Sequence, residues 1–399
     1  MLSVDEALER LLAGGLGMTE AETVLLTDAV GRVPAVRRLV AAHDVPPFAN
    51  SAMDGFAMLS ADGDAPRRML GESRAGGPGA PRVERGTAVR IMTGAPLPPG
   101  ADAVVPLEKA REEENTVLVE AAPALGAHVR AAGHDVPAGT SVVLADAPLS
   151  AASIGLLAAL GRDSIEVHRR PRVAILSTGD ELRPAGATLG AGQIHDANGP
   201  ALAAAVSESG AEPILLDAAP DDPTVIEERI RDGARGADLL IVSGGVSVGR
   251  HDLVRTVIER LGSLEFWRIA VQPGKPLAFG YIGERPVVGL PGNPVSALVT
   301  FELFVRPMIR RMMGLSGDGR TRVRARVDEA LGKDVARRAY LRVSAAAEGD
   351  GYRAVSAGGQ ASSQLLTLAS ANALLVVPEG LASTEAGGTY EAILLGPVA

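Results

Sequence analysis

The chain has 399 residues with 48 acidic and 39 basic side chains, so its formal charge at pH 7 is -9 with histidine counted as neutral. Aromatic residues make up only 3% of the sequence, which, with the acidic balance, argues against a dedicated nucleic-acid-binding protein. Cysteine is absent, which excludes disulfides, thiolate metal sites, iron–sulfur clusters and cysteine nucleophiles.

The first part of the chain predicts a helical region that is interrupted by a β-rich module. Residues 3–27 are predicted to be helical, because Ser3 and Glu6 have capping-box spacing ahead of leucines on one face. From about residue 34 to residue 139, short β-like runs between glycines and prolines replace the helical period. Residues 151–161 are predicted to be helical again. This order indicates one domain into which another is inserted.

Strands and helices are predicted to alternate from Arg172 onward. The predicted strands cover residues 172–179, 212–219, 237–245, 266–274 and 285–292, and the predicted helices 197–210, 222–236, 251–262 and 295–314. Such alternation is typical of a three-layer α/β domain with a mostly parallel sheet, which binds ligands at the carboxyl ends of its strands. A glycine-rich linker at 314–320 precedes further β runs, which predict a small C-terminal β domain.

The N-terminus lacks the basic start and apolar core of a signal peptide. No apolar run approaches the roughly 20 residues that a membrane helix needs. We therefore expect a soluble, cytoplasmic protein that does not contact a membrane.

Polar, glycine-rich turns follow several of the predicted strands, and one of them resembles a phosphate-binding loop. In SGGVSVGRHD (243–252), three glycines let the backbone approach a ligand, and the serines add donors. The alternative is a turn in which Asp252 only caps a helix. In LPGNPVS (290–296), Ser296 lies at the start of a helix, where it either faces an anion or belongs to an ordinary capped helix.

Lysine is rare in this sequence, which makes Lys275 informative. The other two lysines are Lys109 and Lys333, and Lys275 lies in a predicted loop between a glycine and a proline. A compact ammonium suits a phosphate or another oxyanion, although a solvated surface lysine is the alternative.

Carboxylates recur at the same predicted sheet edge: Asp180, Glu181, Asp221, Asp222 and Asp252. Acids beside a phosphate-binding loop predict Mg²⁺, which takes oxygen ligands and bridges phosphate oxygens. The six histidines show no close pairing, so a zinc site is not expected.

The β-rich module adds three loop stretches, and together the motifs resemble one known family. The stretches are PPFANSAMDGFAM (46–58), RIMTGAPLPPGADAVV (90–105) and HVRAAGHDVPAG (128–139). With STGDEL, SGGVSVGRHD, PGKP and LPGNPVSALVTF they stand in the order found in the MoeA-type molybdopterin molybdenumtransferases, the family that includes the E domain of gephyrin. The resemblance covers residues 1–397 and is very specific, because the motifs occur jointly.

The resemblance implies a multidomain α/β plus β protein with four domains. These are a discontinuous helical domain I (1–40 and 137–168), an inserted β domain II (41–136), a three-layer α/β, molybdopterin-binding-like domain III (169–315) and a C-terminal β-barrel domain IV (316–399). It also implies a homodimer whose active site lies between domain III of one subunit and domain II of the other. The partners that the resemblance implies are molybdopterin adenylyltransferase and downstream molybdenum-cofactor enzymes.

The family reaction inserts molybdate into adenylylated molybdopterin and releases AMP, with Mg²⁺ as the metal. The resemblance implies catalytic roles for Asp54, Glu181, Asp221, Asp252 and Lys275, and metal binding by Asp221 and Asp252. It implies that substrate contacts come from Thr93, Arg130, Asp135, Asp180, Ser243, Gly244, Gly245, Ser247, Pro291, Pro294, Ser296, Arg337 and Ser363. Asp222 and Ser362 are alternatives to their neighbours Asp221 and Ser363.

The sequence departs from the family pattern at a few positions, and other functions are open. Gln272 stands where many members have lysine, which removes a positive charge that Arg268 could replace. Ala49 and Phe56 replace a common Asp and Tyr, and both replacements are tolerable. The alternatives are a non-catalytic scaffold or cofactor-binding paralogue of the gephyrin type, and a tungstate-specific enzyme.

Overall fold

The computed structural model describes residues 1–14, 16–245 and 253–398. Contacts within the chain separate two compact units. The α/β unit comprises Met1–Glu22, Gly31–Ala35 and Val167–Ala399, and the β unit comprises Thr23–Val30 and Val36–Glu166.

Helices and strands are numbered here in chain order. The helices are α1 (Val4–Ala13), α2 (Ala151–Ala159), α3 (Asn198–Glu208), α4 (Pro223–Gly236), α5 (Leu253–Leu261), α6 (Pro294–Thr300), α7 (Arg306–Met312) and α8 (Leu365–Ser370). The first strands are β1 (Ala21–Leu25), β2 (Arg38–Val40), β3 (Asn50–Ser51), β4 (Gly55–Met58), β5 (Arg67–Ser73), β6 (Thr87–Ile91), β7 (Ala103–Pro106), β8 (Ala110–Glu113), β9 (Thr116–Val119), β10 (Val129–Arg130), β11 (Ser141–Val143), β12 (Ser164–His168) and β13 (Arg172–Ser177). The remaining strands are β14 (Leu182–Arg183), β15 (Ile194–His195), β16 (Glu212–Leu215), β17 (Leu239–Ser243), β18 (Ser263–Arg268), β19 (Val271–Gln272), β20 (Pro276–Ile282), β21 (Arg285–Leu290), β22 (Arg322–Val327), β23 (Arg338–Glu348), β24 (Gly351–Ser356), β25 (Ala373–Val377) and β26 (Thr389–Leu394).

The predicted N-terminal helical region is only partly helical. Ser3 and Glu6 form the expected capping box, but α1 ends at Ala13 and Ala21–Leu25 form a strand. Gly14 ends the helix as its C-cap residue, and the β-branched Thr23 and Val24 favour extended backbone in the segment that follows. The sequence thus predicted too much helix over residues 3–27, whereas the helix predicted at 151–161 is confirmed as α2.

The β unit is built around a six-stranded sheet in the order β7-β4-β6-β5-β9-β8. Two short antiparallel ladders, β3 with β10 and β2 with β11, accompany it. Along β4, Phe56 and Met58 enter one apolar cluster and Ala57 another, as expected for side chains that alternate across a sheet. The predicted β module is confirmed.

The α/β unit contains a six-stranded sheet in the order β16-β13-β17-β21-β20-β18. The first four strands are parallel, and β20 runs antiparallel to β21 and β18. Along β13, Val173 and Ile175 join a core with residues of α1, α3, α6 and α7, while Ala174 and Leu176 join a core with residues of α4 and α5. Helices therefore cover both faces, and the predicted three-layer architecture is confirmed.

The long helix predicted at 295–314 contains a π-helical segment. Phe301–Val305 connects α6 to α7, and Pro307 follows in the first turn of α7. Proline has no N–H for the regular i to i−4 bond, which accounts for a change of hydrogen-bond pattern just before it.

The C-terminal region forms the predicted barrel. Five strands close on themselves in the order β22, β24, β23, β25, β26, because β23 pairs with both β24 and β25, and β22 pairs with β26. Strand β19 of the preceding region adds to β23 in parallel. The strands β20 and β24 and the helix α8 were not predicted from sequence.

No helix within the described ranges is long and apolar enough to cross a membrane.

Candidate active site

The sheet of the α/β unit brings three of the polar turns together at one edge. The last residues of β13 and β17, Ser177 and Ser243, are in register, and Ser243 is in register with Leu290 at the end of β21. Backbone bonds join the turns themselves: Thr178 N–H donates to the Ser243 carbonyl at 2.9 Å, and Gly244 N–H donates to the Leu290 carbonyl at 3.2 Å. The prediction that ligand-binding turns meet at the strand carboxyl ends therefore fits this geometry.

A cavity of about 670 Å³ lies at this edge. Its lining combines the turns after β13, β17 and β21 with the segments before α3 and α4, the first residue of β20 and one residue of the C-terminal region. The lining residues are Thr178, Gly179, Glu181, Leu182, Ile194, His195, Asp196, Ala197, Asn198, Asp221, Ser243, Gly244, Gly245, Pro276, Pro291, Gly292, Asn293, Pro294 and Ser363. Eight of the sequence-predicted site residues are among them: Glu181, Asp221, Ser243, Gly244, Gly245, Pro291, Pro294 and Ser363.

The turn after β17 has the backbone of an anion-binding loop. Gly244 and Gly245 have φ values of +98° and +62°, which side-chain-bearing residues rarely adopt. Within the described residues, the backbone N–H groups of Gly245, Gly292 and Asn293 make no hydrogen bond, and all three residues line the cavity. Unpaired backbone N–H groups in residues that line one cavity suit an oxyanion.

Gly244 leaves no room for a side chain. A Cβ atom at this position would lie 2.5 Å from the Thr178 carbonyl oxygen and 2.8 Å from its hydroxyl. We expect Gly244→Ala to lower the free energy of unfolding by about 2–4 kcal/mol, measured by chemical denaturation. Gly186→Ala is the matched control, because Gly186 also has a positive φ but would place its Cβ in open space. Its cost should be only about 1 kcal/mol, and equal losses for the two variants would contradict the steric argument.

The sequence left open whether Asp221 or its neighbour Asp222 contacts a ligand, and the structure gives the two residues different positions. Asp222 caps α4, because its carboxylate accepts the N–H groups of Thr224 at 2.7 Å and Val225 at 3.3 Å, and these bonds lower its pKa. Asp221 lines the cavity, and its N–H donates to the Asp180 carboxylate at 3.0 Å. Asp221 is therefore the better candidate for contact with a ligand, with Asp180 supporting it from behind.

The two serines of the C-terminal loop also differ. Ser362 accepts a hydrogen bond from the Asn293 side-chain amide at 3.0 Å, and its carbonyl accepts the Val295 N–H at 3.2 Å. The neighbouring Ser363 lines the cavity. Asn293 is at the N-cap position of α6, but its side chain does not cap the helix.

Three other predicted residues do not line the cavity. Lys275 is exposed and lies beside the lining residue Pro276. Ser296 is buried within α6. Arg337 lies in the loop before β23, where its guanidinium pairs with the Asp334 carboxylate at 2.7 Å.

Gln272 contacts the same loop and so takes a structural role. Its side-chain oxygen accepts the Asp334 N–H at 2.8 Å, which attaches β19 to the loop before β23. Ser247 and Asp252, which sequence assigned to substrate and metal contacts, lie outside the described residues.

The β unit brings two of its four predicted residues into direct contact. Thr93 N–H donates to the Asp54 carboxylate at 2.6 Å, and this bond with that of the Thr93 hydroxyl lowers the pKa of Asp54. Both side chains are exposed. Arg130 pairs with Asn50 between β10 and β3, and Asp135 N–H donates to the Val45 carbonyl at 3.0 Å. No hydrogen bond or ion pair joins these two residues to Asp54 in the described structure.

Sequence reasoning missed Asn198 and Arg342. Asn198 lines the cavity at the start of α3. Arg342 is fully buried in β23, and its guanidinium donates to the carbonyls of Gly359 and Ala361, both at 3.1 Å, in the loop that carries Ser363. The polar run IHDANGP before a predicted helix could have pointed to Asn198, whereas a buried arginine within a strand gives no sequence signal.

Comparison with known proteins agrees along nearly the whole chain. Residues 2–161 match the family profile of the MoeA N-terminal region (domain I and II), residues 174–311 that of a probable molybdopterin binding domain, and residues 324–395 that of the MoeA C-terminal region (domain IV).

Individual relatives also match over most of the chain. A protein of Nostoc sp. named molybdopterin molybdenumtransferase is 40% identical, over 90% of this chain and 86% of its own length. Molybdopterin molybdenumtransferase 2 of Mycobacterium tuberculosis is 38% identical, over 97% of this chain and 98% of its own length. The crystal structure of a molybdopterin biosynthesis MoeA protein from Pyrococcus horikosii aligns over 100% of both chains with a TM-score of 0.85 and 32% identity. The chain belongs to the MoeA family.

Proposed function

We propose that this protein is a molybdopterin molybdenumtransferase, which inserts molybdate into adenylylated molybdopterin and releases AMP. The observation that carries the proposal is the cavity at the sheet edge, whose lining includes Gly245, Gly292 and Asn293 with backbone N–H groups that are unpaired within the described residues. Backbone donors of this kind bind phosphate oxygens without a fixed positive charge. Relatives that match over most of their own length carry the name of this enzyme, which supports the same reaction.

Within this proposal, the residues of the cavity take separate tasks. The turn Ser243–Gly245 and the loop 291–294 bind the phosphate groups of the substrate. Lys275, next to the lining residue Pro276, holds molybdate through its ammonium group. Arg342 keeps the loop with Ser363 in place from within the barrel, and Ser363 contacts the substrate. Water cleaves the anhydride, so that AMP leaves and the pterin keeps its own phosphate. The two thiol groups of the pterin bind molybdenum, and their two protons leave with one oxygen of molybdate as water.

The residues present fit a bound Mg²⁺ only in part. Within the described residues, no cluster of three or more His, Asp or Glu side chains could hold a metal ion by itself. Glu181 and Asp221 nevertheless line the cavity beside the anion-binding turn. Mg²⁺ is commonly bound by one or two carboxylates together with phosphate oxygens of the substrate. When bound, it would offset the repulsion between the negatively charged carboxylates and phosphates. We propose Asp221 as a ligand, with Asp252 as the second one that the family resemblance implies.

This arrangement predicts that Mg²⁺ binding depends on the nucleotide. Because the protein supplies too few ligands alone, calorimetry should show weak Mg²⁺ binding to the free protein and binding at least tenfold tighter in the presence of AMP. Asp221→Asn should reduce this coupling. Equal Mg²⁺ affinity with and without AMP would contradict the shared site.

We further propose that the protein is a homodimer that acts in the cytoplasm. Each subunit has the four domains whose bounds are given in the sequence analysis. In the dimer, Asp54 and Thr93 of one subunit complete the cavity of the other. Support comes from the exposed, ionised carboxylate of Asp54, which the Thr93 N–H holds in one orientation. Molybdopterin adenylyltransferase would supply the substrate and molybdenum-cofactor enzymes would take the product.

Of the alternatives, a gephyrin-type scaffold is not favoured. The relatives at 38–40% identity over 86–98% of their own lengths carry the enzyme's name. A preference for tungstate needs a direct comparison, because the two oxyanions have the same charge and nearly the same size.

The test of the proposed function is AMP release from adenylylated molybdopterin. The purified protein should release AMP when molybdate and Mg²⁺ are both present and much more slowly when either is left out. Parallel reactions with tungstate measure the oxyanion preference. Release at the uncatalysed rate under all these conditions would overturn the proposal.

A further inference from the structure

Asn198 connects two of the turns that form the cavity. Its side-chain Nδ2 donates to the Ser243 hydroxyl at 2.8 Å and to the Gly292 carbonyl at 2.7 Å. The Asn198 backbone is itself held in place, because the Asp196 carboxylate accepts the N–H groups of Asn198 and Gly199, both at 3.0 Å. The orientation of the amide group is thus determined: a carbonyl oxygen can only accept, so the nitrogen must face Gly292.

These bonds leave an acceptor in the cavity. A side-chain amide has two N–H donors, and both are used. Its oxygen, Oδ1, makes no hydrogen bond within the described residues, and it is not among the buried polar atoms that lack a partner. Because Asn198 lines the cavity, we take Oδ1 to be open to it. The cavity therefore presents one fixed acceptor beside the unpaired N–H donors of Gly245 and Gly292.

This acceptor must face a different part of the ligand than the N–H groups do. Phosphate oxygens are acceptors and would repel Oδ1, so its partner has to be an O–H or N–H group. The partner is also close to the phosphate, because the same amide contacts Ser243 of the phosphate-binding turn at 2.8 Å. In a 5′-nucleotide, the donors nearest to the phosphate are the ribose hydroxyls, whereas the amino group of the base lies beyond the sugar.

We propose that Asn198 Oδ1 accepts a hydrogen bond from a ribose hydroxyl of the nucleotide part of the substrate. This inference rests on the proposed function, which supplies an adenylylated substrate. It makes Asn198 both a positioning residue for the two turns and a residue that distinguishes a ribonucleotide from its deoxy analogues.

Calorimetry with AMP and 2′,3′-dideoxy-AMP tests the inference without the complete reaction. The wild-type protein should bind AMP about five- to tenfold more tightly than the dideoxy analogue, which is the usual range for one neutral hydrogen bond. Asn198→Ala should weaken both ligands, because the turns lose their link, and should bring their affinities within about twofold of each other. The 2′-deoxy and 3′-deoxy analogues identify which hydroxyl is used.

Asn293→Ala is the matched control. Asn293 also lines the cavity, but its amide donates to Ser362 of the C-terminal loop. This variant should keep the wild-type ratio of the two affinities, whatever its absolute affinity.

Several results would overturn the inference. One is equal binding of AMP and dideoxy-AMP by the wild-type protein, a comparison that does not depend on any variant folding. Another is an unchanged ratio in Asn198→Ala, which would reduce Asn198 to a positioning residue. A third is the absence of any AMP binding by the wild-type protein. Failure of the proposed function is seen separately, as a lack of AMP release from the adenylylated substrate.

Discussion

Replacing Lys275 by alanine is expected to raise the molybdate concentration for half-maximal AMP release by about ten- to a hundredfold. A charge-assisted contact is worth about 1.5–3 kcal/mol, which corresponds to that change in apparent affinity. Lys275→Arg should recover the loss only in part, because a planar fork replaces a compact point charge. Pterin binding should change much less, since the turn at 243–245 is intact.

The structure supports this expectation, because two polar side chains that could compete with Lys275 for molybdate already have partners within the protein. The Arg337 guanidinium is paired with Asp334, and the Gln272 side-chain oxygen accepts the Asp334 N–H. The Lys275 ammonium, by contrast, makes no ion pair or hydrogen bond with any residue in the described part of the chain, and it is exposed beside Pro276.

Lys109→Ala provides the control for Lys275. Lys109 is one of the other two lysines, is exposed and lies in the β unit. Its variant should keep the wild-type molybdate dependence. If Lys275→Ala also kept it, Lys275 would be a surface lysine and the oxyanion would have to be held by backbone donors or another arginine.

Much of the fold could be predicted because its main elements have strong local patterns. Strand β13 is apolar over four residues, 173–176, and is covered on both faces, so its sequence shows a continuous run. The helix α2 begins after a capping serine and is followed by Gly161, which has a positive φ. Where such signals were absent, the prediction failed: β1 was assigned to a helix, and the short helix α8 has too few residues to show a period.

The candidate site could be predicted only at the level of motifs. The sequence places Asp221 and Asp222 side by side, and nothing in it tells which one caps α4. The same is true of Ser362 and Ser363, whose tasks depend on how the C-terminal loop meets Asn293. Arg342 shows the limit most clearly, because its bonds to Gly359 and Ala361 join segments that are adjacent only in the folded barrel.

Mixing two inactive variants is expected to restore activity if the site is shared between subunits. Asp54→Asn and Glu181→Gln should each lower AMP release at least a hundredfold, because one removes a carboxylate of the β unit and the other a carboxylate of the cavity. A heterodimer of the two variants has one site with both substitutions and one site with neither. Random mixing of equal amounts should therefore recover about a quarter of the wild-type activity.

A site formed entirely within one subunit would give a different result. If Asp54 served the cavity of its own chain, every site in the mixed dimer would carry one substitution, and activity would stay at the level of the separate variants. The control is a mixture of Glu181→Gln with Asp221→Asn. Both residues line the cavity of the same α/β unit, so every site in the mixed dimer carries one of the two substitutions and no activity should return. Recovery in the first mixture and none in the second would place Asp54 in the partner's site, and tagged heterodimers isolated by two-step affinity purification would give the activity per intact site.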